Sequence, residues 1–99
     1  MEDAVQETLK KAGEMHKAGQ LDLAKQLYAS VIQIEPRHAR ANHNLGIIKI
    51  DTGNILGAKP LLKIAIEVNP DNGQYWISYI DVLIRLEEFS DPERHHREN

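Results

Sequence analysis

The chain has no cysteine, a single tryptophan, a single phenylalanine and no long apolar run. Without cysteine, neither a disulfide framework nor a thiolate metal site can support the fold, so the core must come from packing alone. The redox compartment is left open by the same absence. Charge of one sign is lacking too: 12 Lys+Arg against 15 Asp+Glu give a formal charge of −3, which excludes binding to nucleic acid driven by counterion release. No apolar stretch approaches the ~18 residues of a spanning helix, and the N-terminus MEDAVQETLK is polar and acidic, unlike a signal or transit peptide. A soluble, cytoplasmic chain with no membrane role is expected. At 99 residues there is room for one small domain, which buries roughly 60 to 70% of its unfolded surface and is marginally stable by default.

What is present is an internal repeat. At an offset of 34 residues, Gly19 falls on Gly53, Ala24 on Ala58 and Pro36 on Pro70. The apolar positions travel with them: Leu21 on Ile55, Leu27 on Leu61, Ile32 on Ile66 and Ile34 on Val68. Residues 3–18 place Val5, Leu9, Ala12 and Met15 at helical spacing, one apolar stripe on a charged helix that Gly19-Gln20 ends. A second helix over 21–34 carries Leu21, Ala24, Leu27, Tyr28, Val31, Ile32 and Ile34, too broad an apolar surface for one neighbour. Pro36 stops it, because proline lacks the amide hydrogen and pushes Glu35 out of helical geometry.

The second unit repeats this scheme. Residues 38–52 carry Ala41, Leu45, Ile48 and Lys49 where the first unit has Glu7, Lys11, Glu14 and Met15. Gly53-Asn54 makes the turn, and Ala58, Leu61, Leu62, Ala65, Ile66 and Val68 form the next buried stripe. Pro60 falls inside that stripe; a helix starting near Gly57, with Pro60 in its first turn, avoids a kink costing ~3 kcal/mol. Residues 69–73, NPDNG, form a turn, and 74–87 open a third unit with Trp76, Tyr79, Ile80, Leu83 and Leu86 expected on one side. Phe89 aligns with Leu21 and Ile55. The pattern then fails: Ser90-Asp91-Pro92-Glu93 reads like a helix start, but 94–99 supply no apolar residue. The third unit lacks its second helix, and 90–99 are expected to be a disordered or frayed polar tail.

A period near 34 residues, with a small residue where two helices touch and a proline closing each unit, resembles the tetratricopeptide repeat family. The likeness runs from Val5 to Phe89. It is fullest in the second unit, through Leu45-Gly46, Gly53, Ala58, Ala65 and Pro70; in the first, Lys11 stands in place of Leu45 and Val31 in place of Ala65. Gly46 lies where the family carries a small residue that lets two helices approach, and Trp76 where it commonly has tryptophan. The resemblance implies an all-α fold of antiparallel helix pairs stacked as a short right-handed superhelical solenoid of about two and a half repeats. A single domain over 1–89 is expected, with repeats at about 5–38 and 39–72 and an incomplete one at 73–89.

The family uses a concave face, lined by the first helix of each pair, to hold peptide segments. Carried over residue by residue, that lining is Gln6, Leu9, Lys10, Gly13 and Lys17, then Arg40, His43, Asn44, Ile47 and Asp51, then Gln74, Ile77, Ser78, Asp81 and Arg85. Four of these are basic and two acidic on a chain of negative net charge, which favours a peptide with acidic groups. The subclass that clamps the C-terminal carboxylate of heat-shock chaperones uses two lysines, two asparagines and an arginine; only Asn44 matches, so a chaperone carboxylate clamp is rejected.

Catalysis and metal binding are not expected, and neither is a cofactor. His38 and His43 are five apart across a helix start and His95-His96 sit in the polar tail, which is not the spacing of a helical zinc pair. Asp51 and Asp81 read as solvated surface rather than paired catalytic carboxylates, Lys10-Lys11 as a solvated pair, and Tyr75, Trp76, Tyr79 and Phe89 as core aromatics. The missing last helix should leave Leu83, Leu86 and Phe89 partly exposed, and an apolar patch of that kind marks an interface. Three functions follow: a non-catalytic module presenting its concave face to a partner's peptide, a module that assembles with its own copy through the uncapped third-unit helix, or, by analogy with bacterial sugar- and sulfate-transferring enzymes, the N-terminal accessory segment of a larger enzyme.

Overall fold

A computed structural model describes residues 2–90 of the chain, with the side chains of residues 4–88. Five α-helices follow one another: α1 (Glu2–Lys17), α2 (Leu21–Ile34), α3 (Ala39–Asp51), α4 (Ile55–Val68) and α5 (Gly73–Ser90), and among the described residues there is no strand. Each helix packs on the next, and α3 also touches α5, which makes a small all-α solenoid. The expected tail lies outside the described residues from residue 91 onward, as does the side chain of Phe89.

The repeat seen in the sequence is a repeat of hydrogen bonds. Gly19 and Gly53 both take positive φ, 79° and 88°, where a Cβ would be strained, so glycine ends both α1 and α3. Around each glycine the same pair of bonds forms: Gly19 N–H to His16 O with Gln20 N–H to Met15 O, and Gly53 N–H to Ile50 O with Asn54 N–H to Lys49 O. The turns after α2 and α4 also match. His38 Nδ1 accepts from the Ala41 amide at 3.2 Å, and Asn72 Oδ1 accepts from the Tyr75 amide at 3.2 Å. These are two chemically different caps at one register position. Asn42 Nδ2 donates to Pro36 O at 3.1 Å and Trp76 Nε1 donates to Pro70 O at 2.8 Å, so an amide and an indole do the same work one period apart.

The core divides at the middle of the solenoid. Val5, Leu9, Ala12, Ala24, Tyr28, Val31, Ala41, Leu45 and Ile48 form one buried cluster across α1, α2 and α3. A second holds Ile55, Ala58, Leu62 and Val82, with Ile50, Tyr79 and Leu86 packed against it. Gly46 permits the closeness of α3 and α4: a Cβ there would lie 2.8 Å from Leu62 Cδ2, so a larger residue must displace the Leu62 side chain or the helices.

Two expectations are corrected. Helix α4 does not start near Gly57. It starts at Ile55, because Asn54 Oδ1 accepts from the Gly57 amide at 3.0 Å and caps the helix earlier. Pro60 is therefore inside the helix, and the Leu56 carbonyl loses its partner; Leu56 and Pro60 both lie on the exposed side, where water can take that bond. Helix α5 is also turned relative to the expected face. Ser78 and Val82 are buried, with Tyr75, Tyr79 and Leu86 half-buried beside them, while Trp76, Ile80 and Leu83 lie outside. Leu86 is half-buried and packs against the second core cluster.

Candidate functional site

The first helices α1, α3 and α5 bring several of the expected lining residues together, and a residue from α2 joins them. Gly13 of α1 sits against the hydroxyl of Tyr28, which a Cβ at Gly13 would approach to 3.8 Å. Tyr28 accepts a bond from Asn44 Nδ2 at 3.2 Å. Asn44 Oδ1 in turn lies 3.2 Å from His43 Nδ1, and His43 Nε2 lies 2.8 Å from Ser78 Oγ on α5. The Tyr75 ring tilts against the His43 imidazole with centroids 4.5 Å apart. This is one polar strip running from Tyr28 on α2 through α3 to α5.

The order of bonds fixes the protons. An Asn44 amide that gives Nδ2 to Tyr28 must present Oδ1 to His43, so Nδ1 carries the hydrogen and Nε2 accepts from the Ser78 hydroxyl. Burial pushes the His43 pKa below its ordinary value, only partly opposed by the bond to Asn44. It is burial that favours the neutral imidazole here.

A serine, a histidine and an amide in this sequence resemble a nucleophile, its base and an orienting group, but the setting cannot do that chemistry. Ser78 is buried in the interior of α5, where the neighbouring amide hydrogens are spent on helix bonds and none is left to receive an oxyanion. The strip instead ties α2, α3 and α5 into one rigid floor. Among the described residues no group of His, Cys, Asp or Glu is arranged to hold a metal.

The structure sorts the remaining lining residues. Lys10, Lys17, Arg40, Gln6, Gln74 and Ile77 are exposed, and Ile47 is half-buried. Asp51 and His16 face each other at 3.9 Å, joining the ends of α3 and α1, and Asp81 is bonded to Arg85 one turn on, at 3.0 Å. Leu9 is a correction: it is buried in the first core cluster and lines no surface. His43 and Ser78 are also beneath the surface, so they position the floor and offer little to a ligand directly. Tyr28 and Tyr75 were missed as members of this site. A tyrosine inside an apolar stripe needs a partner for its hydroxyl, and Tyr28 on α2 carried that signal.

A model of the tetratricopeptide repeat matches residues 15–78. The chain belongs to the tetratricopeptide repeat family. Among curated proteins none matches it. Membership accounts for the Gly46–Leu62 contact and the two glycine-ended helices, and it makes protein–protein interaction the class of function, since these repeats are generally non-catalytic. No helix among the described residues is long and apolar enough to cross a membrane.

Proposed function

We propose that this chain is a non-catalytic interaction module that receives an extended, acidic segment of a partner protein along the side shared by α1, α3 and α5. The observation that carries the reading is the strip from Tyr28 through Asn44 and His43 to Ser78. It ties α2, α3 and α5 together, and Lys10, Lys17 and Arg40 stay exposed on α1 and α3. Preformed floors of this kind favour binding, because little ordering entropy is lost when the partner arrives. Exposed cations add long-range attraction for acidic groups and weaken with salt.

The test is capture of a partner from host lysate by the wild-type chain and by a Lys10→Glu, Arg40→Glu double variant. Both side chains are exposed, so the fold should survive, whereas a charge placed at buried His43 would unfold the floor and prove nothing about binding. A partner retained by the wild type, released by moderate salt and lost by the double variant supports the reading. A partner held equally by both removes this face as the binding surface.

A further inference from the structure

The outer faces of α1 and α5 are chemically unlike. Helix α5 covers α4 with Tyr79, Val82 and Leu86, as a capping helix does, but a cap needs a polar outer face for solubility. Here the outer face carries Trp76, Ile77, Ile80, Leu83 and Ile84, with Ile77, Ile80 and Ile84 at 62, 48 and 51% exposure. Together they present roughly 400–500 Å² of apolar surface, the size at which a patch on a soluble protein marks an interaction site.

The register shows what kind of partner fits. Ile80 stands one period after Gly46 and two after Ala12. Ala12 is fully buried, and at Gly46 even a Cβ would collide with Leu62. An isoleucine at this position keeps out a helix docked as closely as α4 is on α3, so the face is not shaped for a further helix of the repeat kind. Ile77, Ile80 and Ile84 instead follow the three-then-four spacing of a coiled-coil seam, which packs by interdigitation at a wider separation, about 8–10 Å between axes. The nine residues after Ser90, DPERHHREN, are polar or charged apart from Pro92 and bring nothing apolar to lay on this seam.

We propose that two copies of this chain pair through α5, antiparallel, about a twofold axis passing beside Ile80. Ile77 of one copy then lies level with Ile84 of the other. The patch meeting its own copy buries roughly 800–1,000 Å² in total, the size of weak, transient interfaces, so the dimer is reversible.

The test is sedimentation velocity of the full chain from low to high micromolar concentration. The wild type should pass from monomer to dimer, and Ile80→Glu should weaken association by about 100-fold or more, since two like charges meet near the axis, with unchanged helicity by circular dichroism. Because the chain has no cysteine, Ile80→Cys provides an independent reading. Mild oxidation should give a covalent dimer, and Lys63→Cys on the exposed side of α4 should not. A wild type that stays monomeric throughout, an Ile80→Glu variant that associates like the wild type, or equal cross-linking from both cysteines would overturn the proposal.

Discussion

The outer faces of α1 and α5 occupy opposite ends of the same stack and solve the same problem differently. At the α1 end, Glu7, Lys11 and Glu14 stand where the second unit has Ala41, Leu45 and Ile48 and the third has Tyr75, Tyr79 and Val82. In those two units the positions dock on the preceding helix pair and are buried or half-buried; in the first they are charged and exposed. At the α5 end, the positions that a second helix of the unit would cover carry isoleucines. A repeat array has no edge problem inside, only at its ends. The outer face of α1 is charged, and that of α5 offers an apolar seam.

The largest effect should come from giving the second unit the residue of the third. Gly46→Ile forces a branched side chain into Leu62, and overpacking plus the displacement of α4 should cost about 1–3 kcal/mol or more. Ile80→Ala, at the same register position on the exposed seam, should change monomer stability by no more than about 0.5 kcal/mol. Urea midpoints of the two variants, taken at low concentration, make the comparison. If both lose stability equally, the two units are equivalent at this position and the contrast between them fails.

Cutting the polar strip ranks next. His43→Ala leaves Ser78 and Asn44 without their shared partner and should cost about 1–3 kcal/mol, loosening α5 from α3 before it affects α1. Amide exchange on α5 faster than on α1 is the expected pattern. The strip should also respond to acid. Burial holds His43 below its ordinary pKa, so the unfolded chain takes up a proton before the folded one does. Stability from this group is complete above about pH 6.5, declines as pH falls from there toward the lowered folded value, and levels off below it. His43→Gln, which cannot titrate, should flatten that part of the urea-midpoint profile; a profile identical to wild type would remove His43 as its source.

Much of the fold was legible in the sequence because its punctuation is local. Gly19, Gly53, Pro36 and Pro70 act within one turn of where they stand, and they placed the boundaries of α2 correctly. Pro60 misled because a proline restricts its own turn, whereas Asn54 decides where the helix begins. The turn of α5 was not legible for a different reason: two apolar stripes share that helix, and the choice between them rests on the reach of His43 to Ser78, 35 residues away in sequence. The same long-range bond put His43 and Ser78 beneath the surface where their register alone placed them on it.

The smallest expected effect lies at the charged end. Glu7→Ala, Lys11→Leu and Glu14→Ile together reproduce the docking face of α3 on α1, where little covers it, so each should shift stability by only about 0.5 kcal/mol. The triple variant should nevertheless acquire a second mode of self-association that persists when Ile80→Glu is added.

The measurement that tests the asymmetry most directly is hydrogen exchange of the wild-type chain across a range of protein concentrations. Slower exchange along α5 as concentration rises, with α1 unchanged, is the predicted result. Equal slowing along α1 and α5, or none along either, would contradict the contrast between a charged face and an apolar seam.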